Sequence, residues 1–304
     1  MKKCPILIIS LLPCIWLSAQ DGQLPIIDMH MHGYSEQEFW QGPRQGGIEA
    51  AQSKEILELR LKEIMDKYHI VLGLLSASPE TIRDWKKKDN RFMGGYEYIH
   101  RDLVDTLEFK NLIESGVIQA FAEVGTVYRG DFLTDKKFEP YLQICARYKI
   151  PVGYHTGNTA PGLAYRMPFR VKNSDPFLIE DILAKHPSLK LFIMHSGAEF
   201  YEHCIALMRQ YPHVYSELGI LLWGDDLTKH QATEFLKQAK TAKILNRVMF
   251  GSDQMVWPDA VIKSIEFLNS LDFLTIGEKR DIFYNNAARF LGLSKDIMET
   301  HFKK

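Results

Sequence analysis

From residue 26 almost to the end of the chain, short apolar runs alternate with longer segments in which apolar residues recur every three or four positions. Over 54–68, Ile56, Leu57, Leu59, Leu61, Ile64 and Met65 show helical spacing, and an apolar run at 70–75 follows. The same alternation predicts strands at 26–32, 70–75, 91–98, 117–124, 150–155, 189–195, 214–218 and 247–251. Between them it predicts helices at 54–68, 79–88, 103–115, 136–148, 198–210, 228–242, 260–270 and 277–291, and another that opens at Ser174 or Asp175 with Pro176 in its first turn. Eight strand–helix units, whose strands are mostly apolar runs, predict a single α/β domain: a (β/α)8 TIM barrel over 21–304. The alternative, a doubly wound open sheet, would leave the first and last strands apart.

That distinction matters because the residues able to bind a metal fall at the C-terminal ends of the predicted strands. In Ile26-Ile27-Asp28-Met29-His30-Met31-His32, strand alternation puts Asp28, His30 and His32 on one face, with the two imidazoles about 6 to 7 Å apart along the strand. Later runs end in Ala122-Glu123-Val124-Gly125, His155-Thr156-Gly157, His195-Ser196-Gly197 and Gly251-Ser252-Asp253. In a closed barrel His30, His32, Glu123, His155, His195 and Asp253 meet at one mouth. They are nitrogen and oxygen donors suited to a divalent metal: zinc foremost, with manganese or iron as alternatives. Glu123 is equally able to cap a strand end, and His195 to orient a ligand instead of being one.

Composition narrows the function classes. The 304 residues are 46% hydrophobic and 25% charged, and 37 Lys+Arg balance 38 Asp+Glu, which removes the electrostatic footprint of a nucleic-acid binder. Lys2 and Lys3, an apolar run at 6–17, then Ser18 and Ala19 read as a cleavable signal peptide over 1–20. The run is short for a membrane span, so no stable anchoring is expected, and the protein is expected to be exported to the periplasm or beyond. After cleavage Cys145 and Cys204 remain, on separate predicted helices, so no disulfide is expected.

Taken together, Asp-x-His-x-His at 28–32, the His-Thr-Gly, His-Ser-Gly and Gly-Ser-Asp runs, and the ending Asn285-Asn286-Ala287-Ala288-Arg289-Phe290-Leu291-Gly292-Leu293 resemble the amidohydrolase superfamily, specifically its family-2 branch. The resemblance implies a metal-dependent hydrolase on a distorted barrel. With one metal it implies His30, His32, His155 and Asp253 as ligands and His195 as a catalytic acid, base or electrophile. With two it implies Glu123 as the bridge, and His155 and His195 on the second metal. Asp253 is the expected general base of a reaction that cleaves an amide, ester or lactone bond of a small molecule. The same branch contains decarboxylases of aromatic and unsaturated acids, which gives the alternative activity; an inactive metal-holding protein is the third. Arg166 and Arg170 are candidates to grip a substrate carboxylate, or are solvated loop charges. Tyr34, Trp40, Tyr165, Glu217, Trp223 and Trp257 are candidate substrate contacts because they lie near strand ends. Substrate and oligomeric state, a homo-oligomer included, stay open.

Overall fold

The computed structural model describes residues 24–303, so the expected signal peptide lies outside the described residues. The first half runs β1 (Ile26–His32), α1 (Lys54–Lys67), β2 (Ile70–Ala77), α2 (Pro79–Lys88), β3 (Phe92–Tyr96), α3 (Thr106–Glu114) and β4 (Phe121–Val124). A single turn α4 (Thr126–Arg129) precedes α5 (Glu139–Tyr148), β5 (Val152–Tyr154), α6 (Glu180–Lys185), β6 (Leu191–Ile193), α7 (Tyr201–Gln210) and β7 (Tyr215–Glu217). The chain ends with α8 (Asp226–Thr241), β8 (Val248–Met249), α9 (Ala260–Ser270), α10 (Ile276–Arg280), α11 (Asn286–Leu291) and α12 (Lys295–Phe302). Side-chain caps begin several helices: Ser53 accepts from the Ile56 N–H at α1, and reciprocal pairs Asp225/Thr228 and Thr275/Glu278 open α8 and α10. Among the described residues no helix is long and apolar enough to cross a membrane.

Among the described residues all strand pairs are parallel, but the barrel expected from the sequence is not closed. The ladder forms two arcs, β1-β2-β3 and β4-β5-β6-β7-β8. Between β3 and β4 pairing shrinks to two bridges, Gly95 with Ala120 and Tyr98 with Val124, where the register of β4 against β5 also shifts. At the other seam β8 is two residues long, and single hydrogen bonds replace a ladder: Met29 N–H to the Phe250 carbonyl at 2.9 Å and Asp253 N–H to the His30 carbonyl at 2.7 Å. The first and last strands are therefore neighbours without a continuous sheet. Every residue of β1 is buried, as expected of a parallel strand covered on both faces.

Candidate metal centre

His30 and His32 share one face of β1, and both are buried. His30 Nε2 lies 3.2 Å from His32 Nε2, 3.3 Å from Glu123 Oε2 and 3.5 Å from Asp253 Oδ1. His32 Nε2 is 3.4 Å from the same Glu123 oxygen and 3.0 Å from Asp253 Oδ1. The other oxygen of Glu123, Oε1, faces a second group: it meets His155 Nδ1 and lies 3.4 Å from His195 Nε2, and the two imidazoles are 3.1 Å apart. The sequence-predicted ligands are thus brought together as two clusters that share one carboxylate.

Hydrogen bonding explains why these groups fit cations. Glu217 Oε1 accepts from His30 Nδ1 at 3.2 Å, and the Gly219 carbonyl accepts from His195 Nδ1 at 3.1 Å. In the neutral rings both Nδ1 atoms then carry the proton, and both Nε2 lone pairs point at carboxylate oxygens. An acceptor facing acceptors, all buried, requires either extra protons or a metal between them. Separations of 3.0–3.5 Å are those of neighbouring ligands on one ion, about 3.4 Å for a tetrahedron with bonds of about 2.1 Å. His155 Nε2 is buried without a partner, so neither of its nitrogens is committed to a fixed donor.

Without a metal the centre draws protons instead. Burial opposes charge on His30, but the carboxylates of Asp253, Glu217 and Glu123 outweigh it and raise its pKa well above the ordinary value. The balance at His32 is similar, with Asp253 and Glu123 pushing it up to about 9. Glu123 is held well below the usual carboxylate range by His155 and His30 despite burial, and Asp253 is lowered by His30 and His32. Burial alone lifts Asp28 to about 7.

The local sequence builds this arrangement. Asp28 Oδ1 accepts from the Ser252 N–H at 2.9 Å, tying β1 to the turn after β8 that delivers Asp253. A Cβ on Gly251 would fall 2.0 Å from Glu217 Oε2, so glycine is required in Gly-Ser-Asp. The hydroxyl after each later histidine shapes its turn: Thr156 Oγ1 donates to the Met194 carbonyl at 2.5 Å, and Ser196 Oγ donates to the Glu217 carbonyl at 2.7 Å. Those bonds hold His195, whose φ is +59°, and Ser196 in the left-handed region.

The other sequence candidates divide between the centre, the packing beneath it and the surface. Glu217 is fully buried and braces His30 instead of facing a ligand, a role its place near a strand end did not reveal. Trp257 is 2% exposed, gives its indole N–H to the Pro43 carbonyl at 2.8 Å, and packs between Trp40 and Trp223 to anchor the loop after β1. Tyr165 is 94% exposed. Arg166 is also exposed, and Arg170 spends Nη1 on the carbonyls of Ala164 and Phe169 in its own loop. The rings beside the centre are Tyr34, stacked near His32 with centroids 6.3 Å apart, and Tyr128, 4.8 Å from His155. Sequence reading passed over Tyr128 because it follows β4 inside a short polar stretch.

With the geometry in hand, comparison decides the family: a model described as amidohydrolase, the family-2 type, matches residues 27–293. The chain belongs to the amidohydrolase family. No curated protein matches it. Solved structures share the fold with this amidohydrolase. A TIM-barrel protein from Bordetella bronchiseptica aligns at TM-score 0.67 and 20% identity, covering 88% of this chain and 99% of the other. A protein described as a probable 2-pyrone-4,6-dicarboxylic acid hydrolase from Acinetobacter baumannii, with citric acid bound, aligns at 0.65 and 15% over 88% and 99%. A dihydroxybenzoic acid decarboxylase from Polaromonas sp. JS666, with manganese and 2-nitroresorcinol bound, aligns at 0.58 and 14% over 89% and 97%. The family is one of metal-dependent enzymes, and the His/Glu clusters of this member are the groups able to hold a metal.

Proposed function

We propose that this amidohydrolase is a hydrolase that works with two divalent metals, zinc foremost, on a small molecule with an amide, ester or lactone bond. The observation that carries the reading is Glu123, whose two oxygens face different imidazole pairs: Oε2 toward His30 and His32, Oε1 toward His155 and His195. In this reading His30, His32 and Asp253 would hold one metal and His155 and His195 the other, with Glu123 offering an oxygen to each. When bound, such ions polarise a carbonyl and bring the pKa of a water toward neutrality.

The side chains divide the remaining work. Asp253 Oδ1 is engaged with His32 at 3.0 Å, whereas Oδ2 has only His195 Nδ1 at 3.9 Å, whose proton goes to the Gly219 carbonyl. Oδ2 is therefore the basic oxygen, placed to take a proton from the attacking water and pass it to the leaving group. His195 acts as a ligand, because its Nε2 lone pair points at the Glu123–His155 cluster. Tyr34 and Tyr128 are held as neutral phenols by burial and by surrounding carboxylates, and flank the centre as hydrogen-bond donors. The leader expected at 1–20 makes this an exported enzyme.

Decarboxylation of an aromatic acid is the second reading, supported by the fold shared with dihydroxybenzoate decarboxylases. Metal content per chain separates the two. Protein purified without chelator is expected to hold about two equivalents by plasma mass spectrometry, and Glu123→Ala about one or none. One equivalent in wild type at saturation would contradict two-metal hydrolysis and leave the decarboxylase reading.

A further inference from the structure

The β3 side of the mouth carries polar atoms that the metal centre does not use. Tyr96 and Tyr98 turn outward onto Phe109 of α3 and onto Phe138, at ring separations of 5.7 and 5.2 Å. Alternation then turns Glu97 inward. The Tyr98 N–H donates to the Glu123 carbonyl at 2.7 Å, so Glu97 stands on the strand end next to that of Glu123. Glu97 is 6% exposed, and its Oε1 is buried without a hydrogen-bond partner.

Arg101, in the segment after β3, leans toward the same place. Its Nη2 donates to Glu38 Oε1 at 3.1 Å and stays 3.8 Å from Glu97 Oε1, beyond hydrogen-bond range. Nε and Nη1, on either side of that contact, are both buried without an acceptor. Ser76 is in register with His32 on one strand and with Gly95 on the other, and adds a buried hydroxyl without a partner. Buried donors and acceptors cost stability unless something pairs them, and here both kinds are left unpaired side by side at the C-terminal ends of β2 and β3.

We propose that Glu97, Arg101 and Ser76 form a subsite that grips the non-reacting end of the substrate, and that this end is an uncharged donor–acceptor group of the carboxamide or lactam type. The inference rests on the mouth being the active site of the enzyme described above. Two features of the cluster select the ligand class. Arg101 already stands between two acidic side chains, Glu97 and Glu38, so a further carboxylate would add an anion to a net negative group. A carboxylate also offers no hydrogen to Glu97 Oε1. An amide does both tasks: its carbonyl accepts from Arg101 and its N–H donates to Glu97. Glu38 is fixed for its part by the Ser35 N–H at 3.0 Å and the Thr81 hydroxyl at 2.8 Å, which leaves Arg101 held from one side and free on the other.

The test uses the metal-loaded full chain and two probes of similar shape, benzamide and benzoate, with Kd read by calorimetry. In wild type benzamide is expected to bind. Glu97→Gln and Arg101→Gln are each expected to weaken it about tenfold or more, and Glu97→Gln to lower the benzoate-to-benzamide Kd ratio about tenfold. Reading the ratio cancels any direct contact of benzoate with a metal. Metal content and thermal midpoint are measured on the same samples, and Glu97→Gln, the near-isosteric change, carries the test alone if the arginine variant does not fold. Binding of neither probe by wild type, or benzamide affinity and ratio unchanged by Glu97→Gln, overturns the subsite. Full metal content beside that result leaves the metal reading standing, whereas metal loss in wild type strikes that reading itself.

Discussion

The two oxygens of Asp253 differ in their surroundings, and that difference is the basis of its proposed role. Oδ1 lies against His32 and His30, while Oδ2 keeps only a 3.9 Å approach to His195. Asp253→Asn preserves shape and one oxygen but removes the base, so turnover on a cleaved substrate is expected to fall at least about a hundredfold, with part of the metal retained. Turnover near the wild-type value would transfer the role to another group. At this scale the sequence was legible where chemistry and spacing coincide: His30 and His32 two apart on a strand, and His155, His195 and Asp253 each closing an apolar run. It was not legible for Glu217 or Trp257, because a carboxylate or an indole near a strand end looks the same whether it faces a pocket or packs beneath one. Only the contact to His30 Nδ1 and the bond to the Pro43 carbonyl tell them apart.

Between elements, the centre depends on β7 bracing β1. Glu217 reaches His30 Nδ1 at 3.2 Å and also accepts the His195 N–H at 2.8 Å, so one buried carboxylate holds a histidine of each cluster. Glu217→Ala removes that acceptor and leaves the His30 ring free to turn and to exchange its tautomer. Metal affinity, measured by competition with a chelator, is expected to drop about 10–100-fold. Unchanged affinity would mean that His30 is oriented by packing alone. The order of strands and helices could be read from periodicity, since each buried strand is an apolar run. Ladder pairing could not: β8 shrinks to Val248–Met249 and β4 starts at Phe121, because turns that deliver ligands interrupt the strand ends. The helix expected at 277–291 runs without a break, widening into a π turn at Asp281–Asn285 between α10 and α11.

For the whole molecule, burying so many ionisable groups at the seam of β1 and β8 links folding to pH. His32 rises from an unfolded value near 6.5 to about 9, so in metal-free protein its stabilisation is fully present below about pH 6.5 and is lost as pH rises through about 9. Asp28, raised to about 7, acts in the same direction: its ionisation penalty is absent below its ordinary value near 3.8 and complete above about 7. The thermal midpoint of chelator-treated protein is therefore expected to fall between about pH 6.5 and 9, and the gain on adding metal to grow over that window, since a cation replaces the lost protons. A metal-free midpoint that is flat or rising there would contradict the proton-for-metal exchange. One carboxylate, Glu123, stands between the two proposed cation positions at the mouth of the fold. Anomalous diffraction from a crystal grown with zinc or manganese tests that placement most directly. Two peaks are expected, one among His30, His32, Glu123 Oε2 and Asp253, the other among Glu123 Oε1, His155 and His195. A single peak at full occupancy, or peaks away from Glu123, would contradict the account.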